Sequence, residues 1–232
     1  MKLTTAQLTG LAVATVLSVA NPVSAAPITT LYNTGVDSSG NLLADGSLND
    51  PHYTLTSVAA GSTQTRIITA AGDFPIGPWL ADNAVSRWIG PNNHQDLLSV
   101  PGTYVFKTTF DLTGFDFTTA SISGKWSTDN EGMDIKLNGV SLGITNLNGP
   151  VYSFQKFTPF TIASGFHSGL NTLEFVIDNA NNFEPTSPTG LRVELTGTAN
   201  LTAVPVPSAA LLFGTGVFTM TGAAFRRKNI SA

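Results

Sequence analysis

Apolar and polar residues alternate one for one through the second half of the chain. Tyr104, Phe106, Thr108, Phe110 and Leu112 share one face, with Val105, Lys107, Thr109 and Asp111 on the other. Ala120, Ile122 and Trp126 alternate with Ser121, Ser123 and Lys125. Met133, Ile135 and Leu137 alternate with Asp134, Lys136 and Asn138; Leu173, Phe175 and Ile177 with Thr172, Glu174 and Val176; Leu191, Val193 and Leu195 with Arg192 and Glu194. A period of two predicts strands with one buried and one wet face, which is the pattern of an antiparallel sandwich. Asn138-Gly139 predicts a tight hairpin turn, because both residues tolerate positive φ, with Val140–Ile144 as the return strand.

The first half is less regular. Tyr32–Val36, His52–Ser57 and Gln64–Thr69 are candidate strands. Three prolines and two tryptophans lie between Gly72 and Asn93, which predicts long loops covering an edge or end of the sandwich. No second domain and no internal repeat is visible. The expected fold is therefore one all-β domain over residues 26–199.

The two ends follow different rules. Met1-Lys2, an apolar stretch from Leu8 to Ala20, and small residues before Ala25 have the layout of a signal peptide over residues 1–25, cleaved after Ala25. At the other end, residues 200–207 form a linker that holds Val204-Pro205-Val206-Pro207, where both prolines lack a ladder donor. Ser208 to Phe225 carries no charge and is close to the minimum length for a bilayer span, and Arg226, Arg227 and Lys228 follow it as a positive stop. A C-terminal transmembrane helix and basic tail over residues 208–232 is the direct physical expectation.

Composition narrows the function classes. There are no cysteines among 232 residues, so disulfide frameworks and thiolate metal sites are excluded. Eleven Lys+Arg against 15 Asp+Glu give a net charge of -4, and the sole basic cluster is at the extreme C-terminus. A nucleic-acid partner, which needs a basic face, is not expected. Removing both ends leaves roughly 175 residues, enough for a cored domain without covalent staples.

The Pro205-Val206-Pro207 motif, the apolar run and the Arg-Arg-Lys end, in that order, resemble a PEP-CTERM sorting signal, with Val206 in place of that family's central Glu. The resemblance implies processing by an exosortase near Pro205 to Pro207, transient anchoring in the inner membrane of a Gram-negative bacterium, and delivery to the cell surface or an extracellular matrix or biofilm. Over residues 100–197, Trp126-Ser-Thr-Asp-Asn130, Asp134-Ile-Lys-Leu-Asn138-Gly139 and Gly169-Leu-Asn-Thr-Leu resemble galactose-binding-like jelly rolls, which implies a carbohydrate-binding sandwich.

Three constellations are candidates for binding. Trp126 with Asp129, Asn130 and Glu131, joined from another loop by Asn179, Asn181 and Asn182, has the aromatic face and amides that sugars use; Trp126 itself continues the inward alternation, which favours the core. Asp37, Asp45 and Asp50, with Asn41 and Asn49, are an oxygen-rich set for a structural calcium ion, though turn chemistry alone explains such residues. Trp79, Trp88 and His94 would form a platform if exposed and a plug if not.

Catalytic motifs are missing. There is no His-Glu-x-x-His, no Gly-x-Ser-x-Gly and no Cys nucleophile, and His52, His94 and His167 lack zinc-like spacing. The expected role is a non-catalytic surface or matrix protein that binds extracellular polysaccharide. A structural or adhesive protein acting through protein contacts is the first alternative, and a glycan-active enzyme with an unrecognised carboxylate pair the second.

Overall fold

The computed structural model describes residues 24–44, 47, 49–57, 66–67, 79–91, 99–179 and 187–202. Residues 1–23 of the signal segment, the linker motif, the apolar C-terminal run, Asp45, His94, Asn181 and Asn182 lie outside the described residues, whereas Ala25 is described and opens the first strand.

Eleven strands are present among these: β1 (Ala25–Pro27), β2 (Thr54–Ser57), β3 (Arg66–Ile67), β4 (Ile89–Gly90), β5 (Thr103–Asp111), β6 (Phe115–Asp129), β7 (Glu131–Leu137), β8 (Val140–Ser141), β9 (Thr158–Ile162), β10 (Leu170–Asp178) and β11 (Gly190–Leu201). The one helical element among the described residues is a short 3-10 turn, Ser153–Gln155. No described helix is long and apolar enough to cross a membrane. The first sheet runs β3-β4-β11-β6-β9, with β1 also paired to β11; the second runs β2-β5-β10-β7-β8. Every pairing is antiparallel. The described residues thus form the all-β antiparallel sandwich that the alternation predicts.

The inward faces are the expected ones. Tyr104, Phe106, Thr108, Phe110 and Leu112 of β5 and its end, Leu173, Phe175 and Ile177 of β10, and Leu191, Val193 and Leu195 of β11 are all buried. Each fully buried aliphatic or aromatic side chain of this kind contributes about 1.5–3 kcal/mol through apolar burial. The Asn138-Gly139 turn forms with φ of 52° and 79°, although its return strand ends at Ser141. Of the irregular first half, β2 is shorter than its candidate span, β3 covers the two described residues of Gln64–Thr69, and Tyr32–Val36 is no strand; it contributes a single bridge, Val36 to Leu42.

Two departures from the simple pattern shape the functional corner. First, β6 and β7 do not form a hairpin. They belong to opposite sheets, and Asp129-Asn130-Glu131 is the corner where the chain crosses between them. The peptide bond between Asp129 and Asn130 is cis. Second, Met133 faces outward and not inward. The β7–β10 register passes from Asp134 opposite Val176 to Gly132 opposite Ile177, so Met133 is the extra residue of a bulge. Gly132 takes the inward place because Trp126 occupies the space beside it: a Cβ at Gly132 would lie 2.5 Å from Trp126 Cη2.

An aromatic column on the outer face

The outward residues of the first sheet come in facing pairs across β6 and β11. Gly190 faces Asp129, Arg192 faces Ser127, and Glu194 faces Lys125. In an ordinary sandwich this face is wet. Here residues 79–88 and 152–157 lie over it as a third layer. Leu80 N donates to Phe154 O at 2.7 Å and so joins the two segments. Ser127 Oγ donates to Ser153 O at 2.8 Å and fastens the second segment to the sheet.

The layer has an apolar centre of its own. Trp88 is fully buried and Trp79 nearly so, with Leu80 and Phe154 packed against them. The rings form a column. Trp79 lies 4.4 Å from Trp88 between centroids, Phe154 lies 6.4 Å from Trp79, and Tyr152 stacks on Phe154 at 5.2 Å with an interplanar angle of 8°. The column is buried at the Trp88 end and open at Tyr152, which is 52% exposed.

Below the layer sits Arg192, whose side chain is wholly buried. Its Nε donates to Ser86 Oγ at 2.8 Å, and its Nη1 donates to the carbonyl of Ala81. Its guanidinium also lies 5.0 Å from the Phe157 ring centroid. Burial lowers the Arg192 pKa, opposed by the charges of Asp82 and Glu194. Asp82 is pushed up to about 6 by burial, opposed by Arg192 and by the Trp88 N–H. Burial also pushes Glu194 up, but hydrogen bonds from Lys125, Asn83 and Ser86 outweigh it and hold this carboxyl below its ordinary value.

Asp129 is another buried titratable group of the layer. Burial pushes its pKa up to about 8, opposed by a hydrogen bond from Trp79, whose only side-chain donor is the indole N–H. Its Oδ1 has no partner. A carboxyl in that setting holds its proton at neutral pH, because ionisation would leave an unpaired buried anion.

The corner is completed by polar side chains. Ser153 Oγ donates to the Asn130 carbonyl and, at 3.0 Å, to Asn148 Oδ1. Asn179, fully buried, donates to the carbonyls of Ser99, Val100 and Ser187 at 3.2–3.3 Å. Ser187 Oγ donates to Asn179 Oδ1 at 2.8 Å. The acceptor oxygens of Asn148 and Gln155 are spent inside the loop, on Ser153 N and Tyr152 N. Their NH₂ groups make no hydrogen bond to the described residues, and these two residues stand either side of Tyr152 in the chain.

The structure thus brings together residues that were separate in the sequence. Asp129 and Asn130 underlie the loop that carries Tyr152, and Trp79 and Trp88 are the buried part of the column that supports it. Trp79 and Trp88 therefore act as the plug and not the platform, since neither presents a ring face to solvent. Trp126 offers no ligand surface either: it is fully buried, 5.8 Å from Phe175 between centroids, in the inter-sheet core. Tyr152 and Phe154 are absent from the sequence-based candidates. Their one signal is aromatic residues at 152, 154 and 157 just after Gly149-Pro150.

The oxygen-rich N-terminal set is used by the backbone. Asp37 Oδ1 accepts from Ser39 N and Asn41 N at 2.8 and 2.9 Å. Asp50 accepts from Gly35 N through Oδ2 and from His52 N and Tyr53 N through Oδ1. No group of three metal-ligating His, Cys, Asp or Glu side chains occurs among the described residues.

A separate open groove of about 440 Å³ lies on the same sheet face, lined by Asn33, Val85, Lys125, Pro159, Glu194 and Leu195 among others. Its charges are already paired, Lys125 Nζ to Glu194 Oε2 at 2.9 Å. Glu194 is the one carboxylate among its described lining residues, so these residues do not supply the pair of acids that glycoside hydrolysis needs.

No family model matches the chain, and no curated protein does. Among solved structures it is similar to the CBM35 from Paenibacillus barcinonensis, with 13% identity, 66% of this chain and 98% of that chain covered, and a TM-score of 0.32. It is also similar to a native family 35 carbohydrate binding module from Clostridium thermocellum, with 8% identity, coverage of 75% and 97%, and a TM-score of 0.31. A third likeness is the CBM36-1 domain of a multidomain xylanase from the hindgut metagenome of Trinervitermes trinervoides, with 16% identity, coverage of 66% and 99%, and a TM-score of 0.30. At such identities the side chains of those modules say nothing of which residues act here.

Proposed function

We propose that this is a non-catalytic polysaccharide-binding protein of the bacterial exterior, and that it takes sugar on the face of Tyr152. One observation carries the reading: a packed aromatic stack rises from the buried interior and ends in a half-exposed, flat ring. A pyranose face packs on such a ring, and a ring already backed by its neighbours lowers the ordering cost of binding. The unspent amides of Asn148 and Gln155 supply donors for ring hydroxyls. The paired groove of Lys125 and Glu194 is the weaker candidate, since its polar atoms already have partners. Asp129 serves the site from below, by holding Trp79, and does not touch the ligand.

A polysaccharide array probed with residues 26–203, with calcium and with chelator, tests the reading. Binding is expected to at least one bacterial exopolysaccharide and to be lost in Tyr152→Ala, whose melting temperature stays within about 2 °C of the parent. No binding to any polymer on the array sinks the carbohydrate reading. Leu147 and Val151, both exposed beside Tyr152, favour a protein-contact role in that case.

Export and sorting belong to the same proposal. The signal segment takes the chain out, the apolar run holds it in the inner membrane, and an exosortase releases it near Pro205 to Pro207 to the surface or matrix. Deleting residues 205–232 is expected to shift the protein from the membrane and surface fractions to the soluble secreted or periplasmic fraction. An unchanged distribution on immunoblots of the fractions would show that the tail is not its address.

A further inference from the structure

The chain enters and leaves the sandwich at one end. Ala25 of β1 pairs with Asn200 of β11, and β11 stops at Leu201. The same end carries the turn after β5 and the residues before β10, joined by Leu112 N to Gly169 O at 2.9 Å and Thr202 N to Gly114 O at 2.9 Å. It is the end opposite the Asp129 corner.

This end is unusually apolar for one facing water. Leu170 is 67% exposed, Leu201 51% and Phe117 37%. Phe115, Phe117 and Leu201 line a shallow groove of about 430 Å³ together with Asp116, Ser168, Asn200 and Thr202. Its lining holds one acid and no cation. The Asp116 Oδ1 is occupied by Thr118 N and Oγ1 at 3.1 and 2.6 Å.

Chain length decides what can lie against it. Residues 203–207 alone separate Thr202 from the apolar run that begins at Ser208. Six Cα–Cα steps reach about 20 Å at most. With the run in the bilayer, as the anchoring part of the proposed function has it, this end is held within about 20 Å of the hydrocarbon, and the headgroup zone itself fills roughly 5–8 Å of that gap.

We infer that, while the tail is uncut, the sandwich stands end-on upon the membrane, with Phe117, Leu170 and Leu201 set into the headgroup region of a zwitterionic lipid surface. Three apolar side chains bind a bilayer weakly alone, but the tether raises their effective concentration enough to make the contact. With Asp116 in the groove and no cation to offset it, a strongly anionic surface is disfavoured. The posture points the opposite end, with Tyr152, away from the membrane. Cutting the tail removes the tether and frees the sandwich.

The absence of cysteine allows a clean test. Ser168→Cys lies in the groove, and Thr103→Cys lies at the far end of β5, eight residue steps or about 27 Å from Asp111. Each is labelled with bimane in the chain with its tail intact, incorporated into phosphatidylcholine vesicles that contain a headgroup-nitroxide lipid. Quenching is expected to be at least threefold stronger at position 168 than at position 103. It should fall at least twofold at 168 when Phe117→Ser and Leu170→Ser are added, with flotation unchanged. Equal quenching at the two sites in chains that float, or quenching at 168 that ignores the two serines, overturns the docking. Chains that fail to float overturn the anchor reading, and the docking with it.

Discussion

Replacing Arg192 by methionine is expected to cost about 3–5 kcal/mol and to lower the melting temperature by roughly 10 °C. Methionine fills much of the same volume, so the loss comes from the groups left behind. Asp82 would keep its buried position without the guanidinium, and Ser86 Oγ and the Ala81 carbonyl would lose their donor. Those groups belong to the segment that carries Trp79 and Trp88, so the damage should appear first there. Calorimetry gives the stability change. A red shift in tryptophan emission preceding global unfolding would locate it, since Trp126 lies in the separate inter-sheet core. Adding Asp82→Asn should recover part of the loss, because it removes the stranded charge. A methionine variant as stable as the parent would mean that the third layer is not pinned by Arg192.

The second large effect is on pH dependence. Burial pushes the carboxyl of Asp129 up to about 8 in the folded chain, against an ordinary value of 3.8. Its folded pKa is raised, so the folded state binds the proton more tightly than the unfolded chain. The stability this supplies is complete below about pH 4 and is lost progressively as pH rises to about 8. Asp129→Asn keeps a carbonyl for the Trp79 N–H and has no proton to lose. It should flatten the dependence and exceed the parent by roughly 2 kcal/mol or more at pH 8. Urea unfolding of both proteins at pH 5 and pH 8 measures this directly. Asp82, with a folded value of about 6, acts in the same direction over a narrower window and is present in both proteins, so it cancels in the difference. Parallel pH profiles for parent and variant would contradict the account.

Much of the sandwich was legible because strand alternation is a local signal. Phe106 and Phe110, or Leu173 and Phe175, need only their neighbours in sequence to announce a buried face. The failures have non-local causes. Met133 alternates correctly with Ile135, yet Trp126, from the other sheet, fills the space at the inward position, and only Gly132 fits beside it. Arg192 alternates outward as predicted and Asp129 continues the outward face of β6, but the segment that buries them is some 50 to 110 residues away in sequence. No period reveals that an outer face has a cover.

The candidate site was legible in fragments. Tryptophans at 79 and 88 and the polar corner at 129 and 130 mark the right region, and their union depends on the fold. Aromatic content drew attention to the tryptophans, whose size makes them the filling of the layer. The exposed ring is a lone tyrosine after a Gly-Pro pair, with no periodicity to single it out. Asp37 and Asp50 lie in an oxygen-rich stretch whose turn chemistry the sequence also offers, and their carboxylates accept backbone N–H groups at turns.

The central claim is that sugar stacks on Tyr152. Its most direct test is a calorimetric titration of the parent, Tyr152→Phe and Tyr152→Ala with a soluble oligosaccharide of the polymer bound on the array. Loss of the ring should weaken binding at least tenfold, about 1.4 kcal/mol, while phenylalanine keeps it within about threefold. An alanine variant that binds as tightly as the parent would contradict the account and place the ligand elsewhere on the sandwich.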